Sequence, residues 1–95
     1  MVTKKKKQIG VIGAGAWGTA LSNIIAKKQN ILLWAKEQNV AENINKKHEN
    51  KKFLPHIKLS KKISCTTEIS DLSSCEILFL VSPVQYLSSV LSKLK

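Results

Sequence analysis

Apolar residues in this chain form short continuous runs and, between these runs, recur at the spacing of one helix face. The continuous runs predict four strands, over about Gln8–Ile12, Ile31–Trp34, Ile63–Thr66 and Glu76–Val81. The helical spacing predicts helices over about Ala16–Lys28 and Gln38–Asn50, a short helix or turn over about Glu68–Ser73, and a last helix carrying Val84, Leu87, Val90, Leu91 and Leu94. This alternation predicts an α/β fold with a doubly wound parallel sheet in the strand order 3-2-1-4.

The two longer helices differ in their predicted buried faces. The face of the first is expected to consist of Trp17, Ala20, Leu21, Ile24 and Ile25, with Thr19, Ser22 and Asn23 on the solvent side. The second has only a thin apolar stripe of Val40, Ala41 and Ile44, so shallow burial is expected. Pro55 then excludes helical geometry at Leu54, and Lys58 and Leu59 are expected to be extended.

Three glycines follow the first predicted strand in the spacing G-x-G-x-x-G. Gly13 allows a tight turn, Gly15 allows the backbone to approach a pyrophosphate, and Gly18 allows a helix to pack closely on a strand. The next helix would direct its unpaired N–H groups and its positive dipole end at an anion. Because a strand precedes the glycines and another apolar run soon follows, the stretch predicts a Rossmann-like dinucleotide-binding turn rather than an ordinary glycine turn.

Two charged residues follow the second predicted strand, where this fold meets the adenosine ribose of a dinucleotide. An acidic side chain there binds the ribose 2′-hydroxyl, whereas a basic one accommodates a 2′-phosphate. Lys36 and Glu37 stand side by side at this point. The choice between NAD and NADP therefore stays open, and so does the alternative that both residues are solvated loop charges.

The formal net charge is +10, and all sixteen basic residues are lysines. Lys4–Lys7 form a block of like charge, so residues 1–7 are expected to be a disordered lead-in. The other lysines are scattered and no arginine is present, which favours a solvated surface over a nucleic-acid site. Binding of nucleic acid through the lysine block remains an alternative, and it would weaken steeply with salt.

Cys65 and Cys75 lack the spacing of a zinc site and have no histidine nearby in the sequence. Two small buried thiols in a reducing compartment are expected, with no metal site. No apolar segment approaches the length of a membrane span, and no secretory signal is evident. These features predict a cytoplasmic protein; its oligomeric state stays open, with a homodimer as one alternative.

After residue 7 the chain resembles the N-terminal part of bacterial NAD(P)-dependent glycerol-3-phosphate dehydrogenases. The resemblance rests on IGVIGAGAWGTAL at 9–21, LWA at 33–35, HENKKFLP at 48–55, TT at 66–67 and VSP at 81–83. It implies an oxidoreductase that reduces dihydroxyacetone phosphate to sn-glycerol 3-phosphate for phospholipid synthesis. The alternatives are another Rossmann-type reductase, of the hydroxyacid or ketopantoate reductase type, and a non-catalytic nucleotide-binding remnant.

The resemblance also implies which residues contact NAD or NADP. Besides Gly13, Gly15 and Gly18, these are Ala16, Trp17, Lys36, Glu37, Phe53 and Pro83. The sequence departs from the family at Ala16, where serine is common, and at Glu37, where many relatives carry a basic residue. For Trp17 and Phe53, a place in the core is the structural alternative.

The fourth predicted strand would be left as an apolar sheet edge, which a complete fold of this kind covers. Residues 8–95 are therefore expected to be an incomplete dinucleotide-binding domain without the family's C-terminal catalytic domain. No catalytic residue is assigned here, because the family's catalytic lysines lie beyond residue 95. No dehydrogenase activity is expected from these residues alone; a small phosphorylated substrate would bind only if a C-terminal domain completed the protein.

Overall fold

The computed structural model describes residues 8–81. The elements are β1 (Ile9–Ile12), α1 (Ala16–Ile25), β2 (Ile31–Trp34), α2 (Gln38–Lys47), β3 (Ile63–Thr66), a 3-10 helix (Ile69–Ser74) and β4 (Ile77–Leu80). The predicted lead-in over residues 1–7, the predicted last helix and the candidate contact Pro83 lie outside the described residues.

The four strands form one parallel sheet in the order β3-β2-β1-β4, which confirms the predicted topology. In register, Ile9 lies beside Ile31 on one side and beside Ile77 on the other. The chain moves from β1 through β2 to β3 in one direction, and then returns to place β4 on the opposite side of β1. The carboxyl ends of β1 and β4 therefore flank the point where the strand order reverses, which is where ligands bind in open α/β sheets.

The two faces of the sheet are covered by different elements. Successive strand residues point to opposite faces, so Val11 and Leu33 pack with α2 residues such as Ile44 in the larger buried cluster. Ile12 lies in a smaller cluster with Ile69 and Leu72 of the 3-10 helix. Burial on both faces explains why β1 and β2 are almost continuously apolar.

The predicted orientation of α1 is wrong, because the helix buries a different face. Trp17 is 83% exposed and Ile24 is 64% exposed, whereas Thr19 and Ser22 are fully buried. The helix lies with Gly18 against the turn after β1, and this close approach brings the neighbouring small residues inward. Thr19 and Ser22 satisfy their hydroxyls by donating to the carbonyl oxygens of Ala14 and Gly18 at 3.3 and 2.7 Å. The helix also ends at Ile25, before the predicted Lys28.

The second helix differs from its prediction in length and depth. It ends at Lys47, and His48 follows in the left-handed region with φ 56°. Val40, Ala41 and Ile44 are all buried, so the expected shallow burial is wrong: the thin stripe faces β3 and the large cluster directly. Residues 57–60, where Lys58 and Leu59 were expected to be extended, contain no strand or helix.

The fourth strand lies at the sheet edge, and its side chains are 37–46% exposed. It pairs only with β1 among the described strands. Its uniformly apolar sequence is typical of a strand buried on both faces, but residues 8–81 provide only part of that cover.

Candidate functional site

The turn between β1 and α1 lies at the carboxyl end of a central strand. Gly13 has φ 119°, a conformation that side chains rarely adopt. Its N–H donates to the carbonyl oxygen of Trp34 at 3.1 Å, which ties the turn to the end of β2. The predicted need for glycine at this position therefore has a direct structural cause.

The space around Gly18 is closely packed, whereas the space around Gly15 is open. A Cβ at Gly18 would stand 1.7 Å from the carbonyl oxygen of Gly13, so only glycine allows α1 to pack this closely. A Cβ at Gly15 would meet no atom within 4 Å. Gly15 is the N-cap of α1 and has no side chain with which to cap the helix. A helix N-terminus with open space above it fits an anionic group such as a pyrophosphate.

A buried asparagine connects the glycine turn to the segment after α2. Asn50 is 1% exposed. Its Nδ2 donates to the carbonyl oxygen of Ala14 at 2.8 Å and to Oγ1 of Thr19 at 2.7 Å. Its Oδ1 accepts from the N–H of Phe53 at 3.2 Å. One carboxamide thus holds the turn, the first part of α1 and the Phe53 loop together.

The end of β2 carries the second part of the candidate site. Glu37 is the N-cap of α2 and follows Lys36, which is exposed. The carboxylate of Glu37 pairs with the ammonium of Lys52, whose Nζ lies 2.5 Å from Oε1 and 2.7 Å from Oε2. Lys52 Nζ also lies 5.4 Å from the centroid of the Phe53 ring. The structure therefore brings Glu37 and Phe53 to one locality, with Lys52 between them.

The two candidate aromatic contacts do not lie in the core formed by residues 8–81. Trp17 projects from the first turn of α1 and Phe53 is 40% exposed. Ala16, which precedes Trp17, is exposed as well. The alternative in which both aromatics are core residues is not supported by the described structure.

Asn50 and Lys52 were not singled out as site residues from the sequence. Both fall in the HENKKFLP stretch, but nothing there distinguishes Lys52 from the other paired lysines. Both also line a cleft of about 500 Å³ beside α2. The residues that line this cleft are Asn39, Val40, Asn43, Asn50, Lys51 and Lys52.

The cysteines are free thiols. Burial raises the pKa of Cys65 to about 12, and burial also raises the pKa of Cys75, which is only partly covered. Within residues 8–81, His, Cys, Asp and Glu side chains form no group of three that could hold a metal ion. No helix in that range has the length and apolar character needed to cross a membrane.

Comparison with known proteins gives a consistent result. A family model described as the NAD-dependent glycerol-3-phosphate dehydrogenase N-terminus matches residues 8–95. The chain is 51% identical over 86 residues to the glycerol-3-phosphate dehydrogenase [NAD(P)+] of Maricaulis maris, which covers 90% of this chain and 26% of that protein. It is 40% identical over 95 residues to the enzyme of the same name from Hyphomonas neptunium, covering 99% of this chain and 28% of that protein.

Solved structures agree with these sequence matches. The glycerol-3-phosphate dehydrogenase of Saccharomyces cerevisiae superposes with a TM-score of 0.86 at 28% identity, covering 96% of this chain and 30% of that one. The enzyme from Coxiella burnetii gives a TM-score of 0.83 at 26% identity, covering 93% and 28%. The chain thus spans between a quarter and a third of the length of these proteins.

Proposed function

This chain belongs to the family of NAD-dependent glycerol-3-phosphate dehydrogenase N-terminal domains, and we propose that it binds NAD or NADP as part of such an enzyme. Residues 8–95 are assigned to the cofactor-binding domain. The reaction proposed for the whole protein is reduction of dihydroxyacetone phosphate to sn-glycerol 3-phosphate, a phospholipid precursor. We place this function in the cytoplasm, with a homodimer as the proposed assembly.

The open N-terminus of α1 carries this proposal. No atom of the described residues lies within 4 Å of the point where a side chain at Gly15 would begin, and this N-cap makes no side-chain hydrogen bond to the start of the helix. The first N–H groups of α1 would donate hydrogen bonds to the cofactor pyrophosphate, while Gly13 and Gly18 hold the turn in shape. Lys36, Glu37, Trp17 and Phe53 are proposed contacts to the rest of the dinucleotide, as are Ala16 and, outside the described residues, Pro83.

The bound cofactor would supply a hydride, and the residues of this chain would bind and orient it. None of the described residues is assigned a catalytic role. The backbone turn would hold the pyrophosphate, and the end of β2 would hold the adenosine ribose. Another Rossmann-type reductase would share these features, but the family match across residues 8–95 favours the glycerol-3-phosphate dehydrogenase.

Cofactor binding can be tested by fluorescence, since the chain contains two tryptophans. Trp17 stands in the first turn of α1, so bound NADH is expected to show energy transfer from it. Titration with NADH and with NADPH should give saturable binding, and Trp17→Phe should remove more of the transfer than Trp34→Phe. A folded chain, verified by circular dichroism, that binds neither nucleotide would contradict the proposal.

The enzyme-level proposal needs a complete dehydrogenase. In a chimera, residues 8–95 of this chain would replace the matching segment of the Maricaulis maris relative. We expect oxidation of NADH or NADPH that depends on dihydroxyacetone phosphate. The matched control carries Gly15→Val, which places a branched side chain in the open space. Activity with a 2-ketoacid but not with dihydroxyacetone phosphate would favour the alternative reductase.

A further inference from the structure

The ion pair between Glu37 and Lys52 joins two segments at the end of β2. Glu37 lies three residues beyond the last residue of that strand, and Lys52 approaches it from the loop after α2. The ammonium contacts both carboxylate oxygens, at 2.5 and 2.7 Å. Both side chains remain partly exposed, at 40% and 49%, so a ligand can still reach them.

The backbone around Lys52 is held by internal hydrogen bonds. The N–H of Phe53 donates to Oδ1 of the buried Asn50, and the N–H of Leu54 donates to the carbonyl oxygen of Asn50 at 2.8 Å. In the residue before Lys52, the N–H of Lys51 donates to Oδ1 of Asn43 at 2.8 Å. Lys52 therefore projects from a closed turn that is anchored on both α2 and the glycine turn.

The charge of the side chains at the end of β2 affects the choice between NAD and NADP. A carboxylate after the second strand binds the ribose 2′-hydroxyl of NAD and repels the 2′-phosphate of NADP. Glu37 alone would therefore favour NAD. Its pairing with Lys52 offsets that repulsion, and Lys36 adds a second ammonium next to it in the chain.

Resting on the proposed function, we propose that Lys52 determines specificity at the cofactor 2′ position and allows the site to accept both NAD and NADP. With NAD, Lys52 stays on Glu37 and the carboxylate accepts a hydrogen bond from the 2′-hydroxyl. With NADP, the Lys52 ammonium turns to the 2′-phosphate, as a charge-assisted donor. The flexible lysine stem permits both positions from one anchored turn.

The test measures dissociation constants of the 95-residue chain for NADH and NADPH. Lys52→Gln should raise the constant for NADPH about fivefold or more while that for NADH changes less than about twofold. The matched control is Lys61→Gln, which removes the same charge just before β3, at the opposite end of the sheet from Glu37. This control should leave the ratio of the two constants unchanged.

A second variant tests the role of Glu37, which forms the ion pair with Lys52. Glu37→Gln should weaken NADH binding and strengthen NADPH binding, because it removes the acceptor for the hydroxyl and the repulsion of the phosphate. If Lys52→Gln weakens both cofactors equally or neither, or if Glu37→Gln weakens NADPH, the inference is overturned although cofactor binding stands. If the unaltered folded chain binds neither cofactor, the proposed function itself fails.

Discussion

Asn50 donates a hydrogen bond of 2.7 Å to the hydroxyl of Thr19, across 31 positions of the chain. Both side chains are almost fully buried. Thr19 in turn donates to the carbonyl oxygen of Ala14, which also accepts from Asn50. A buried polar network of this kind stabilises one arrangement when all its members are paired. The glycine turn and the loop that carries Lys52 are therefore coupled through Asn50.

Replacing Asn50 with alanine should weaken both the fold and the candidate site. The change leaves the N–H of Phe53 without its acceptor and removes the direct donor to Ala14 and Thr19. A loss of about 2–3 kcal/mol in the free energy of unfolding is expected, measured by urea denaturation. The exposed Asn39→Ala on α2 is the control, expected within about 0.5 kcal/mol. Equal stability of the two variants would contradict a structural role for the network.

Alanine should reduce stability far more at Gly18 than at Gly15. Gly18→Ala places a Cβ 1.7 Å from a backbone oxygen, so α1 must move away from the turn. We expect a loss of more than about 3 kcal/mol in the free energy of unfolding or failure to fold. Gly15→Ala meets no atom and keeps an ordinary φ of −74°, so it should cost only about 1 kcal/mol at the N-cap.

The variants Gly18→Ala and Gly15→Ala also distinguish a loss of folding from a loss of cofactor binding. The Cβ at Gly15 would stand where the pyrophosphate is proposed to approach, so Gly15→Ala should weaken NADH binding about tenfold while the chain stays folded. Circular dichroism and NADH titration on one sample give both values. Unchanged affinity in a folded Gly15→Ala variant would contradict the placement of the phosphates at this turn.

The orientation of α1 shows where pattern and structure diverge. Strand order and the glycine turn follow from the alternation of elements and the spacing of three residues, which are local features. The apolar stripe through Trp17 and Ile24 predicts the wrong buried face, because the close contact of Gly18 with the turn sets the orientation of the helix. Once Gly18 faces the turn, helical geometry brings Ser22 to the same face. The sequence contained this signal.

The contacts around Lys52 are different, because no local pattern contains them. Glu37 and Lys52 are separated by a helix and part of a loop, and their approach depends on how that loop folds back over α2. The ion pair at the end of β2 therefore could not be derived from the adjacent positions of Lys36 and Glu37 alone. The hydrogen bonds from Asn50 to Ala14 and Thr19 depend on the same long-range arrangement.

Asn45 protects the outer edge of the sheet. Its Oδ1 accepts from the N–H of Cys65 and its Nδ2 donates to the carbonyl oxygen of Cys65, both at 2.8 Å. Asn45→Ala should lower the free energy of unfolding by about 1–2 kcal/mol. Asn45→Asp should lower it at least as much, because a carboxylate oxygen would then face the carbonyl oxygen of Cys65 in place of the Nδ2 donor. The neighbouring Lys46→Ala is the control. A similar effect for all three variants would argue against edge protection by the carboxamide.

The buried thiol of Cys65 predicts a loss of stability in alkali. Burial raises its pKa from 9.0 to about 12 in the folded chain, so the folded state holds this proton at pH values where the unfolded state has lost it. The associated stability is complete below pH 9 and falls as the pH rises from there towards 12. Between pH 8 and pH 10 this stability falls by about 1 kcal/mol.

The test is urea denaturation of the unaltered chain and of Cys65→Ala at both pH values. The comparison separates the effect of the Cys65 thiol from lysine titration, which both proteins share. The substitution should reduce the pH dependence by that amount, and an identical dependence in both proteins would show that the thiol ionises as readily folded as unfolded.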